Sequence, residues 1–265
     1  MDYGRIYYNN QQTRLNQANL KIYQGTNPVF GFDIPRAIGG TITVEGDYYV
    51  HTFTDSGSIE FNIATTANYM IVGGGGRASY FAGAGGGDVV TGSYAFGQGS
   101  SYNITIGAGG SGSQYIGGDS SIATINTAYG GHPQPSGFCN AQLDKYRGGY
   151  NTLYSGSCGD GYYYGGAGAG AGENGRPLGE GFLGGDGLAV TIANRSATYY
   201  GGGGGAYYAV GSGSLGGQGG GGQGGGLGYD GKAATFYGGG SGGGGNSYGG
   251  NGNGYQGIVV IWYPK

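Results

Sequence analysis

Charge, cysteine and long apolar runs are all scarce in this sequence, and each shortage excludes something. Charged residues make up 9 % of 265 positions, with 14 Asp+Glu, 11 Lys+Arg and a formal net charge of −3. Disordered chains stay solvated through far more charge than this. Without a Lys/Arg cluster the chain also has no footprint for nucleic acid or an anionic membrane. No apolar run approaches the ~18 residues of a spanning helix, so membrane insertion is not expected. The opening Met1-Asp2-Tyr3-Gly4-Arg5 lacks the basic and apolar regions of a signal peptide, which points to a cytoplasmic origin and an exit by lysis or assembly. The two cysteines, Cys139 and Cys158, flank one glycine-poor insertion. A disulfide there would contribute ~3 kcal/mol in the chain-entropy model, whereas a cytoplasmic origin favours two free thiols. Only His51 and His132 could join them around a metal, and neither stands at ligand spacing, so neither metal nor cofactor is expected.

What the chain has instead is glycine: 73 residues, against roughly 7 % in ordinary proteins. Such a composition either stays disordered or uses a backbone geometry open only to glycine. Aromatics at 14 %, 27 of them tyrosine, can anchor packed layers, and apolar strands punctuate the chain, so a folded protein is expected. The tracts at 73–76, 83–87, 107–112, 165–172, 201–205, 216–228, 238–245 and 249–254 include several too long for turns. An α-helix would cost ~1 kcal/mol per glycine relative to alanine, and an ordinary strand would have nothing to pack. Left-handed polyproline-II geometry remains, with three residues per turn and no internal hydrogen bonds. Its backbone groups then need neighbouring helices. Taken as one helix, the eleven residues 216–226 would span about 34 Å. The expected fold is thus mostly β and irregular: strands framing a stacked array of glycine-rich polyproline-II (polyglycine-II) helices, with almost no α-helix. Successive tracts should run antiparallel, putting alternate loops at opposite ends.

Residues 1–38 differ from the rest and are taken as a docking or connecting segment, with 39–265 as the glycine-rich domain. In the first segment Leu15, Ala18 and Ile22 stand at weak helical spacing, an extended arm being equally compatible, and Asn27-Pro28 and Ile34-Pro35 should break regular structure. Beyond it, Thr41–Glu45, Tyr48–Thr54, Ile59–Ile63 and Tyr69–Val72 alternate or run apolar, separated by Gly46-Asp47 and Ser56-Gly57, a hairpin signature. Further strands are expected at 88–91, 102–106, 188–192 and 258–263, so that both ends of the glycine region join one sheet.

The order of these pieces is specific. Gly39-Gly40-Thr41, Gly46–Thr54, Ser56-Gly57 and Met70–Gly76, then Tyr102–Gly110, Gly117–Ser121 and the terminal Gly257–Pro264, resemble the glycine-rich domain of bacteriophage tail-fibre proteins. The plan is also similar to the adhesins that cap tail fibres of T-even-like phages, although residues 1–38 do not match their docking region. The resemblance implies a glycine scaffold whose aromatic loops bind a bacterial surface protein or glycan. It also implies a virion location, outside the cell after release, with residues 1–38 on a tail-fibre or other virion protein.

Motif matches elsewhere are products of glycine abundance. Gly226–Ala233 nearly fits a phosphate-binding loop but has Ala233 where Mg²⁺ would need Ser/Thr, and no strand precedes it. Gly239-Gly240-Ser241-Gly242-Gly243 mimics a nucleophile elbow without a supporting His or acid. No catalytic residues are therefore assigned. His51 should face solvent or be satisfied locally, and His132 is a turn residue. The tyrosines divide between packing over the slab and binding in loops, where Tyr offers rigid area with a polar tip. Candidate receptor contacts are Tyr80, Phe81, His132, Phe138, Tyr146, Arg147, Tyr150, Tyr154, Tyr162, Tyr163, Tyr164, Tyr199, Tyr200, Tyr207, Tyr208, Phe236 and Tyr237. The insertion 132–164 is the first choice for the tip, because loops carry function when a rigid scaffold positions them. Beside the adhesin stand a structural virion or filament subunit, an ice-binding protein and, last, a glycan-cleaving enzyme.

Overall fold

The computed structural model describes residues 35–79, 81–133, 154, 156–157, 165–176, 181–208, 213–244 and 252–265, together with the backbone of 6–8, 11–13, 21–24 and 27–31. Among them there is no helix; everything is strand, turn or extended tract. The first four strands, Ile6–Tyr8 (β1), Gln11–Thr13 (β2), Lys21–Gln24 (β3) and Asn27–Gly31 (β4), form two separate two-stranded sheets. Ile22 lies in a strand, not a helix, while Leu15 and Ala18 fall outside the described residues. Asn27-Pro28, expected to interrupt regular structure, opens β4 at a register shift in β3. Proline fits there because strand starts and bulges need no ladder donor.

Two five-stranded sheets build the protein's β-sandwich. One has the order β10-β9-β16-β7-β6, from Val89–Phe96, Thr65–Val72, Ile258–Pro264, Tyr48–Phe53 and Thr41–Glu45. The other runs β13-β12-β11-β8-β5, from Asn126–Ala128, Ser120–Ile122, Ser100–Thr105, Gly57–Phe61 and Ala37–Ile38. Both sheets are open. Strand β16 explains the layering: Val259, Ile261 and Tyr263 enter the core between the sheets, while Ile258, Val260 and Trp262 enter a second core on the opposite face. The hairpin of Leu188–Val190 (β14) and Thr198–Tyr200 (β15) covers that second face. A strand buried on both faces reads as an unbroken apolar run. Alternation located β6 and β7 and their Gly46 turn (φ 58°), but Ser56-Gly57 makes no hairpin. It carries the chain from the first sheet into the second, as β7 and β8 lie in different sheets. Ala37 and Ile38 pair with Phe61 and Glu60, so the sandwich takes in the end of the segment that the sequence set apart.

The glycine tracts continue these strands. From 83 to 88, backbone N–H groups donate at 2.8–2.9 Å with a strict period of three: Gly83 and Gly86 to Gly166 and Ala169, Ala84 and Gly87 to Ser241 and Gly238, Gly85 and Asp88 to His132 and Tyr129. A threefold screw directs successive amides to three different neighbours, the signature of the polyproline-II helix. Residues 201–208 bond in this way to six surrounding segments, around 81–84, 168–171, 182–185, 214–217, 219–225 and 237–243. The array is therefore hexagonal. Sequence neighbours run antiparallel, as 213–218 on 201–208 (Ser214 to Ala206, Gly217 to Gly203); later returns run parallel, as 219–225 does.

Glycine is required here by distance, not by dihedral angle. A Cβ on Gly76 would stand 2.8 Å from the Gly131 carbonyl oxygen, and those on Gly75, Gly130 and Gly204 would overlap the carbonyls of Gly239, Gly117 and Ser241. Only at turns does conformational freedom decide. The run 216–226, expected as one eleven-residue helix, reverses at Gly219 and Gly220 (φ 90° and 92°). Its halves pair with each other through Gly221 to Gly217 and Gly224 to Ser214.

His51 is fully buried, not on the solvent side, and is satisfied locally. Its Nδ1 lies 2.9 Å from the Gly39 carbonyl and its Nε2 2.9 Å from the Tyr263 hydroxyl. A carbonyl can only accept, so Nδ1 carries the proton and Nε2 accepts from Tyr263. The Tyr263 oxygen in turn accepts from the Ala37 N–H at 3.0 Å. Burial pushes the Tyr263 hydroxyl up to about 12 and holds the His51 imidazole below its ordinary range, the Gly39 bond opposing the latter.

Two predictions follow from the lattice and the buried ring. Gly75→Ala should destabilise by about 2 kcal/mol or more, the cost of overpacking against backbone that cannot yield. Gly57→Ala, with nothing near its added Cβ, should stay within about 0.5 kcal/mol in the same denaturation series. An unfolded imidazole takes up its proton near about pH 6.5, but the buried His51 does so only at lower pH. The unfolded state then binds more protons in that window, so stability is complete above it and falls as pH drops through it. His51→Gln should flatten this slope in urea melts between about pH 5 and 7. The half-buried His132, shifted downward by burial as well, leaves a shallower remainder.

Candidate functional site

Chain direction sorts every turn to one of two ends. Strand β9 runs out into 73–76, and 83–88 returns into β10; β11 runs out into 107–110, and 117–118 returns into β12. Tract 201–208 leaves β15 and 252–257 returns into β16. Turns 77–82, 111–116 and 226–229 therefore lie at the end of the array away from the sandwich. The described residues at which the chain leaves and re-enters the array, His132-Pro133 and Gly165, Arg176 and Gly181, Tyr208 and Gly213, Gly244 and Gly252, lie there too. Residues 35–36 enter at the opposite extreme: Ala37 pairs with Phe61, which lies level with Ser100 at the start of β11. Arg36 there donates to the Lys265 carbonyl at 3.3 Å.

At the array end several large apolar or aromatic side chains are exposed, beside the polar Ser111, Ser113, Gln114 and Asp230. Tyr115 and Ile116 are 38 % and 45 % exposed, Leu227 and Tyr229 71 % and 72 %. The 111–116 turn is closed by reciprocal bonds between Ser111 and Gln114. It is pinned to the neighbouring turn by Arg77, which donates to the Gly112 carbonyl at 2.8 Å and stands 5.2 Å from the Tyr115 ring centroid. A cation over an aromatic face holds that ring at a modest ~0.5–1 kcal/mol. Beneath, Phe81 contacts Tyr207 at 5.1 Å, and the buried Phe182 (φ 52°) packs with Ala167, Ala206 and Tyr208. No group of three or more His, Cys, Asp or Glu capable of holding a metal occurs among the described residues. A groove of about 520 Å³ along the β12–β13 hairpin is lined by residues none of which is acidic or basic.

The sequence candidates divide between the two ends. Phe81, His132, Tyr207 and Tyr208 belong to the array end, with Tyr207 buried and the other three half-buried. Tyr199, Tyr200, Phe236 and Tyr237 lie at the junction with the sandwich. There Tyr200 is buried 5.3 Å from Phe236, Phe236 meets Tyr237 at 5.1 Å, and Tyr237 meets Tyr255 at 5.4 Å. Burial raises the pKa of both Tyr200 and Tyr237. Tyr154 is half-buried. Tyr80, Phe138, Cys139, Tyr146, Arg147, Tyr150, Cys158, Tyr162, Tyr163 and Tyr164 fall outside the described residues. Two arginines beside candidate loops are engaged, Arg176 with Glu173 at 2.9 Å and Arg195 with Glu45. Exposed Tyr115, Ile116, Leu227 and Tyr229 are not among the sequence candidates. The usable signal was a large side chain in a short turn between two tracts.

The sequence matches no curated protein. A family model described as a glycine-rich domain matches residues 53–264, which takes in most of the sandwich and the whole array. The chain therefore belongs to the family of glycine-rich domains.

Proposed function

We propose that this chain is a non-enzymatic adhesin of a bacteriophage tail fibre, which binds a bacterial surface protein or glycan through the turns at the far end of its glycine array. The polarity of the molecule carries this assignment. Residues 35–36 join the sandwich beside Lys265 at one extreme, and solvent-exposed Tyr115, Ile116, Leu227 and Tyr229 crowd the other. A rigid scaffold that presents loops at one end suits recognition, because little ordering entropy is left to lose on binding. Tyrosine and leucine tips with few charges suit a contact made by burial rather than by ionic pairing. The likeness of the strand and tract order to phage fibre domains supports the same assignment and gives residues 1–38 the role of docking to a tail-fibre or other virion protein. On this basis the chain is made in the host cytoplasm and acts outside it as part of the virion.

Labelled protein should bind a narrow set of bacterial strains saturably and block phage adsorption to them. Tyr115→Ala combined with Tyr229→Ala should weaken binding about 10-fold or more, as expected when two interface anchors are truncated. The double variant's melting temperature should fall by no more than about 2–4 °C, the scale of about 1 kcal/mol in a protein of this size, and Tyr199→Ala at the opposite side of the array should bind normally. Replacing Tyr162, Tyr163 and Tyr164 together by Ala tests the long insertion in the same assay. An absence of binding across a broad strain panel by folded protein would overturn the adhesin.

A further inference from the structure

Four strand edges bound the sandwich, and two are protected by their shortness. Strand β5 has two residues and β13 three. Strand β10 is long and unblunted, but on its core-facing side Phe96 is buried in the core and Val90 packs against it. The fourth, β6, pairs with β7 on one side and with no described strand on the other. Its sequence is Thr41-Ile42-Thr43-Val44-Glu45, five residues without the lysine, proline or bulge that ordinarily blunts an edge. Ile42 and Val44 stand opposite His51 and Tyr49, and so lie on the core-facing side of the sheet. The second sheet ends in the two-residue β5 and stops short of them, leaving Ile42 37 % and Val44 54 % exposed. The sandwich core is thus open along one edge.

We propose that β6 is a homodimer interface, in which it pairs antiparallel with β6 of a second copy about a two-fold axis at Thr43. The occupant follows from the strand's own order. In that register Ile42 faces the partner's Val44 and Val44 the partner's Ile42, so four exposed β-branched side chains become two cross-strand pairs of the kind that stabilises sheets. Thr43 meets its own copy, and Glu45, already held by Arg195, faces the partner's Thr41. No like charges are opposed. An isologous contact of this kind closes at two subunits and joins the first sheets of both copies into one continuous sheet. Because the strands are antiparallel, the two arrays point in opposite directions. The interface does not depend on the adhesin assignment.

Sedimentation velocity of the full chain across the micromolar range is the test. The weight-average mass should rise toward twice that of the monomer. Thr43→Lys, which sets two lysines face to face at the axis, should weaken association at least about 10-fold. Val44→Thr, which keeps the branched shape but loses apolar pairing, should weaken it about 5-fold. Thr91→Lys on the exposed edge strand β10 should leave it unchanged, and far-ultraviolet dichroism confirms that each variant is folded. A monomer at every concentration, an oligomer of odd number, or a dimer indifferent to both β6 substitutions would overturn the proposal.

Discussion

A polyproline-II helix gives none of its hydrogen bonds to itself, and this constraint organises the rest of the structure. Each amide must point sideways at another backbone, close enough for N to approach O to about 2.9 Å. A Cβ between the two would block that approach, which is why substituents on Gly75, Gly130 and Gly204 would overlap neighbouring carbonyls. The lattice also has to be complete around its inner helices, since a missing neighbour leaves one amide in three unpaired. Side chains supply acceptors where carbonyls run out. Ser241 accepts from Ala78, Ser120 from Gly107, Asp119 from Gly130 and Asp186 from Gln218. These four side chains are thus part of the lattice, standing in for carbonyl oxygens.

Such an array buries little hydrocarbon, so its attachment to the sandwich matters. The tracts 73–76, 83–88, 107–110, 117–118, 201–208 and 252–257 are direct continuations of β9, β10, β11, β12, β15 and β16. Strand pairing fixes the order and direction in which these helices start. The two apolar cores, on either side of β9, β16 and β7, supply the hydrophobic stabilisation that the lattice lacks. The Ala37–Tyr263–His51–Gly39 chain of hydrogen bonds then fastens the first strand of the second sheet to the last strand of the first.

Side chains made part of this legible in the sequence. Alternation located β6 and β7, and the apolar run 258–263 marked a strand buried on both faces. Glycine excluded every helical alternative except polyproline II. What side chains do not encode was not legible. A turn at Gly219-Gly220 differs from the adjacent helix only in φ, so eleven glycine-rich residues looked like one rod. Strands of three residues, such as β12, β13 and β15, are too short to show a period. Tyr199 and Tyr200 looked equivalent, yet one is exposed and the other buried, because a strand turns successive side chains to opposite faces. Tyr115 and Tyr229 each stand apart from other aromatics, and nothing in a sequence shows that the turns holding them are solvent-exposed. Of the paired aromatics, Tyr199-Tyr200 and Phe236-Tyr237 sit where the array meets the sandwich, whereas Tyr207-Tyr208 lies at the far end.

The lattice separates scaffold from surface more sharply than an ordinary hydrophobic core does. A substitution inside a tract meets backbone within van der Waals distance and is resisted by several helices at once. A substitution or insertion in a turn at the array end meets solvent, and the flanking helices keep their register because it is set by bonds to other tracts. The 111–116 turn shows how local such tethering is: Ser111 and Gln114 close it, and Arg77 ties it to the next turn through its backbone N–H to Tyr115, its guanidinium to Gly112 and the Tyr115 ring. Chemical variety therefore accumulates at the end remote from the sandwich, where it costs the fold least.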